Sequence, residues 1–172
     1  YNGSSQAIAA ITYNNLTINQ SSGDATLSGN ATVNGILTLT SGNLVVTDPN
    51  VLTMGASATT TGATDVTGIV KRTTLVAATS YTFGNQYTTI IFRNVGTLPT
   101  DMSVKITIGS APAWKTSAIQ RTYDIIQTGA SGSVMTIGLH YLDAELNGNT
   151  ENKLVIWDGH LPSPPGAVEE YG

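Results

Sequence analysis

Over the first third of the chain, apolar residues come in pairs separated by one position. The pairs are Leu16/Ile18, Ala25/Leu27, Ala31/Val33, Leu37/Leu39, Leu44/Val46, Leu52/Met54 and Ala58/Thr60. Turn-forming stretches such as SGN, NG and DPN stand between them. A period of two sends Leu and Val to one side of a strand and Thr, Asn and Ser to the other. The pair starts also repeat. Leu16 to Leu37, Ala25 to Leu44, Ala31 to Leu52 and Leu37 to Ala58 are steps of 19 to 21 residues. A coil of about 21 residues carrying three short strands explains this spacing, which is the repeat of a parallel β-solenoid. Strands this short cannot form a sheet alone. Stacked coils, however, bury a continuous Leu/Ile/Val column and let each backbone pair with the coil above and below. The competing arrangement is an antiparallel meander with a tight turn at Asn34-Gly35. The fixed period favours the solenoid.

The rhythm changes near residue 68. Longer runs follow, at 69–75, 80–84, 87–93, 102–109, 121–128, 133–142 and 153–158. In the fourth run Met102, Val104, Ile106 and Ile108 share one face, and in the sixth Met135, Ile137, Leu139 and Tyr141 do so. Such strands, with turns between, predict an antiparallel β-sandwich. No stretch keeps a helical period. The expected organisation is all-β: a solenoid over 1–68, a sandwich over 69–160 and a Pro-rich extended tail over 161–172.

Charge sharpens this boundary. Residues 1–68 carry only Asp24, Asp48 and Asp65, and the first basic residue is Lys71. The 172-residue chain is 40% apolar but only 10% charged, well below the ~25% of an average domain. Its net charge is −4, with scattered cations, which argues against nucleic-acid binding. Cysteine is absent, so disulfides and thiolate chemistry are excluded. No apolar run approaches the ~18 residues of a membrane span, so no membrane insertion is expected. The first residue is Tyr rather than Met, and the chain reads as a mature or excised portion of a longer product.

Candidate chemistry is sparse. His140 and His160 have no evident partners for a catalytic or metal site. A lyase on a solenoid would need acids with Arg or Lys along the coils, and residues 1–68 hold neither cation. Asp143, Glu145 and Asn147 match positions 1, 3 and 5 of a calcium loop, with Gly148 sixth. Position 12 is Leu154 instead of the bidentate Glu, so a plain turn is favoured. Trp114 and Trp157 are candidates for a sugar platform, against the plainer reading of one core and one loop Trp. Sequons at Asn2, Asn15, Asn19 and Asn30 arise easily in so Asn/Thr-rich a segment. Lys105 and Lys115 are weak candidates for isopeptide bonds. No cofactor is expected.

The stretch AITYNNLTINQSSGDATLSGNATVNGILTLTSGNL resembles segments of very large secreted surface proteins of bacteria. The stretch RTYDIIQTGASGSVMTIGLHYLDAELNGNTENKLVIWDG is similar to the sandwich module that often follows there. LHYLDAELNGNTE is its most distinctive part. The resemblance implies an extracellular or cell-surface location, an adhesin-like or fibre-like role, and no catalytic residues. A solenoid also has two open ends, which need caps or neighbours. The expected function is therefore a non-enzymatic subunit or repeat unit of an extracellular fibre or surface layer, with copies of itself as partners. Head-to-tail contacts are expected through Tyr1, Ile8, Ile11 and Tyr13 at one end and through Pro162, Pro164, Pro165 and Val168 in the tail. The alternative is a glycan-binding module of a large adhesin.

Overall fold

The computed structural model describes residues 1–159. The tail 161–172, with Pro162, Pro164, Pro165 and Val168, lies outside the described residues, as does His160. Nine strands form three coils of three. The first coil holds β1 (Ala7–Ile8), β2 (Thr12–Tyr13) and β3 (Leu16–Asn19). The second holds β4 (Ala25–Leu27), β5 (Ala31–Val33) and β6 (Ile36–Ser41), and the third β7 (Leu44–Val46), β8 (Val51–Met54) and β9 (Thr59–Gly62). Like strands stack in parallel, β1 on β4 on β7, β2 on β5 on β8, and β3 on β6 on β9. The expected coil of about 21 residues is thus present, with Leu16 opposite Leu37 and Ala31 opposite Leu52. It begins earlier than the repeat suggested, because β1 and β2 precede the first recognised pair.

The core follows from the period of two. Each face turns one column inward: Ile8, Leu27 and Val46 on the first, Val33 and Met54 on the second, Ile18 and Leu39 on the third, all buried. Burying a Leu or Val side chain contributes about 1.5–3 kcal/mol, and backbone pairing with the next coil satisfies the main chain. Neither term needs a charged group, so a charge-poor sequence suffices.

Six further strands follow: β10 (Val66–Arg72), β11 (Ser80–Thr82), β12 (Thr89–Phe92), β13 (Asp101–Ile108), β14 (Arg121–Thr128) and β15 (Met135–Gly138). Residue 68, where a boundary was expected, is Gly68, in the interior of β10. This strand starts on the first face, with Val66 opposite Leu44, and continues on the second, with Val70 opposite Leu52. It turns the corner at Gly68, whose φ of +95° suits glycine, and a Cβ there would lie 2.2 Å from the Val46 carbonyl oxygen. The other edge of β10 pairs antiparallel with β13, placing Val70 opposite Val104, and β13 pairs with β14. The second-face sheet therefore runs β2-β5-β8-β10-β13-β14. Strands β11, β12 and β15 form a separate antiparallel sheet in the order β11-β12-β15. Met102, Val104 and Ile106 of β13 are buried, as are Ile90 and Phe92 of β12.

Two compact units emerge, Tyr1–Thr107 with Tyr123–His140, and Ile108–Thr122 with Tyr141–Gly172. In the second unit the strand expected at 153–158 is not formed. A 3-10 turn occupies Glu151–Lys153, another occupies Asp143–Glu145, and 154–158 has no regular structure. Among the described residues no strand pairs with Leu154–Trp157, and Trp157 has the Lys115 ammonium over its ring at 4.0 Å. Among the described residues no helix is long and apolar enough to cross a membrane.

Candidate functional site

Three groups of side chains stand out, and the first is a polar ladder along one corner of the solenoid. Asp24 Oδ1 accepts the Asn43 backbone N–H at 2.8 Å. Asn43 Oδ1 accepts the Asp65 N–H at 3.0 Å, and Asn85 Nδ2 donates to Asp65 Oδ1 at 2.6 Å. Asn85 Oδ1 then accepts the N–H groups of Tyr87 and Thr88. At two other corners Asn15 and Asn30 each accept a backbone N–H 21 residues later, from Ile36 and Val51. Corners break the strand ladder, and these side chains replace the lost partners. The signal lay in the sequence as Asp or Asn at coil spacing, with intervals of 19, 22 and 20 residues from Asp24 to Asn85.

The second group closes the solenoid above its third coil. Arg72, at the end of β10, is 1% exposed. Its guanidinium donates to the carbonyl oxygens of Gly55 (2.9 Å), Ala58 (2.8 Å) and Thr82 (3.1 Å), and lies over the Tyr81 and Phe83 rings. Burial pushes its pKa down to about 10. Its planar fork reaches several carbonyls at once, which a lysine ammonium cannot do. No sequence pattern announced this role, because Arg72 resembles any other residue of an alternating strand.

The third group lies at the opposite end, where β1 and β2 have no outer neighbour among the described residues. Thr32 N–H donates to Ile11 O, Asn34 N–H to Tyr13 O, and Thr26 N–H to Gln6 O. Backbone groups alternate in direction along a strand, so those of Thr12 and Ala7 point outward from the solenoid. Tyr1 pairs instead with β3, accepting from Asn19 N–H at 2.9 Å and donating to Thr17 O at 2.9 Å. The Tyr1 and Tyr13 hydroxyls meet at 3.0 Å, their rings are edge to face, and Tyr13 OH donates to Ala9 O at 2.8 Å. Burial, and then the bond to Tyr1, push the Tyr13 pKa up to about 12. The four residues expected here divide: Ile8 is buried, Tyr13 half-buried, and Tyr1 and Ile11 are exposed, Ile11 by 56%. Residues 1–23 contain no charge and no proline.

In the second unit the calcium-loop candidates are engaged otherwise. Glu145 is buried and holds Arg121 through both oxygens, at 2.8 and 2.9 Å. Asn147 Nδ2 donates to Thr116 O and Ala118 O. Asp143 opens the 3-10 turn that presents Glu145. No group of three metal-ligating side chains forms among the described residues. Trp114 is 49% exposed and packs against Gly159, while Trp157 is covered on one side by Lys115. In the first unit His140 stacks on Tyr87 at 5.0 Å, and Lys105 pairs with Asp48 at 2.5 Å on the surface. Comparison with protein-family models, with curated proteins and with solved structures finds no match.

Proposed function

We propose that this chain is a non-enzymatic structural subunit, or repeat unit, of an extracellular bacterial fibre or surface layer, assembling head to tail. The open solenoid end is the observation that supports this reading. Edge strands are templates for pairing, and proteins that must stay apart protect them with lysine, proline or bulges. Here residues 1–23 carry no charge and no proline while exposing Tyr1 and Ile11. Contacts between unlike ends do not close on themselves, so they propagate as filaments. We read the antiparallel strands as a sandwich that closes the solenoid, with Met102, Val104 and Ile106 facing Ile90 and Phe92. Light scattering and electron microscopy of the purified chain test the assembly. Extended particles that grow with concentration are expected, and a monodisperse monomer at all concentrations refutes the reading.

A second reading, a glycan-binding module of an adhesin, draws on the half-exposed Trp114. It requires binding on a glycan array that Trp114→Ala abolishes.

A further inference from the structure

On the third face the coil line runs on past β9. Asn85 follows Asp65 on the corner ladder by 20 residues, in step with the coils. Strand β11 lies at that fourth level. Thr60 N–H donates to Thr82 Oγ1 at 3.1 Å, and further along both segments Gln86 Nε2 donates to Gly62 O at 2.8 Å. The contacts advance together, so β11 follows the direction of β9. Strand β12 is antiparallel to β11 and β15 to β12, so β15 again runs with the coils. At the opposite end of this face lie residues 1–3. Tyr1 donates to Thr17 O and accepts from Asn19 N–H, which stacks it in parallel on Ile18 of β3. The two ends of the third face therefore share one polarity.

Both ends are unfinished. Arg93 N–H donates to Val134 O, so Val134, Thr136 and Gly138 bond toward β12, and the backbone groups of Met135 and Ile137 point away from it. No strand pairs with that edge among the described residues. Ile137 stands opposite the buried Ile90 yet is 37% exposed, because the core face is cut off at β15. At the other end Tyr1 and Gly3 bond toward β3, so the backbone groups of Asn2 point outward. Tyr1 takes an inward position above the buried Ile18 yet is 39% exposed. Neither 1–23 nor 125–142 contains a proline or a charged side chain, the devices that keep free edges apart.

We infer that the third-face line continues from one copy of the chain into the next, the β15 edge of one copy pairing in parallel with residues 1–3 of its neighbour. The register follows from the backbone. In a parallel pair the outward groups of Asn2 bond the residues on either side of the one opposite it. Those residues are Met135 and Ile137, so Asn2 stands opposite Thr136 and Tyr1 opposite Met135. The side chains agree. Asn2 and Thr136 are both exposed, while the half-buried Met135 and Tyr1 both face inward. Phe92, Met135, the neighbour's Tyr1 and its Ile18 then form one apolar column across the junction. The contact is heterologous, since it joins two different edges of identical chains. It rests on the end-to-end reading above and names the strands that carry it.

The chain has no cysteine, so introduced thiols report their own proximity. Asn2→Cys and Thr136→Cys chains of the full sequence are mixed under assembly conditions and oxidised. A disulfide-linked dimer containing one of each is expected, well above the share that random pairing gives. Asn2→Pro removes one outward N–H and is expected to abolish particles while leaving the circular dichroism spectrum and thermal midpoint unchanged. Should that variant lose its fold, the cross-link alone decides. Assemblies that form normally without the mixed cross-link, or that survive a folded Asn2→Pro, overturn the inference and leave the assembly reading standing. Asn2→Cys self-dimers alone mean two open ends meeting symmetrically, which also overturns it. A native chain that never assembles overturns both.

Discussion

Arg72→Met is the most informative single substitution in the solenoid. Methionine approximates the aliphatic stem but donates nothing, so Gly55, Ala58 and Thr82 carbonyls lose their guanidinium partner in a site where Arg72 is 1% exposed. A buried carbonyl stripped of its donor costs about 1–3 kcal/mol; Gly55 O keeps the Ala58 N–H at 3.1 Å, so the other two cost about 4 kcal/mol. Removing a buried cation offsets part of this. The fall in its pKa to about 10 corresponds to a burial cost of about 3 kcal/mol. The net expectation is a loss of about 1 kcal/mol in urea-induced unfolding followed by circular dichroism. Arg72→Lys should recover little, because an ammonium cannot span the same carbonyls. The pH dependence carries its own sign. Burial holds the Arg72 pKa below its ordinary value, at about 10, so above that pH the unfolded state binds more protons. The burden of the buried cation therefore eases as pH rises above about 10, and the margin of the native protein over Arg72→Met widens. Hydrogen exchange should show protection lost first in β8–β11, since solenoid coils depend on their nearest neighbours. An Arg72→Met chain as stable as the native one, or one that loosens uniformly, would refute this account.

Three other outcomes are expected. Asn43→Asp places a third carboxylate between Asp24 and Asp65; like charges raise the new group's pKa, so the variant should lose more stability at about pH 7 than at about pH 4, measured by urea midpoints at both. Glu145→Gln removes the carboxylate that holds Arg121 through both oxygens and should destabilise the second unit by about 2 kcal/mol, read by the fluorescence of Trp114 and Trp157. Tyr13 should contribute a late component to a tyrosinate absorbance titration, and Tyr13→Phe should delete it. Its folded pKa lies at about 12 against 10.0, so the stability it contributes is present below pH 10 and is lost as pH rises through about 12.

The solenoid was legible because two signals agreed. Period-two alternation fixed which side of each strand is buried, and the step from Leu16 to Leu37 fixed which strand lies above which. The bend in β10 was less visible, since a strand that changes face at Gly68 looks in sequence like an ordinary apolar run. The segment 153–158 misled for a related reason. Alternation in Leu154–Trp157 shows that a strand is possible, but a strand also needs an edge to pair with, and sequence does not supply that. Of the assembly residues, Ile8 proved to be core, because β1 turns it inward beneath Leu27. Arg72 and the Arg121–Glu145 pair were hidden because burial of an isolated charge depends on contacts far along the chain.

The corner ladder limits how such a chain can change length. Its rungs alternate Asp24, Asn43, Asp65 and Asn85, so no two carboxylates stand on adjacent coils, about 4.8 Å apart. Duplicating a coil that bears Asn adds a neutral rung and leaves the corner undisturbed. Duplicating one that bears Asp sets two negative charges side by side. Duplicating two successive coils restores the alternation. A single-coil duplication is therefore tolerated where the corner bears Asn and not where it bears Asp, whereas a two-coil duplication keeps the alternation wherever it falls.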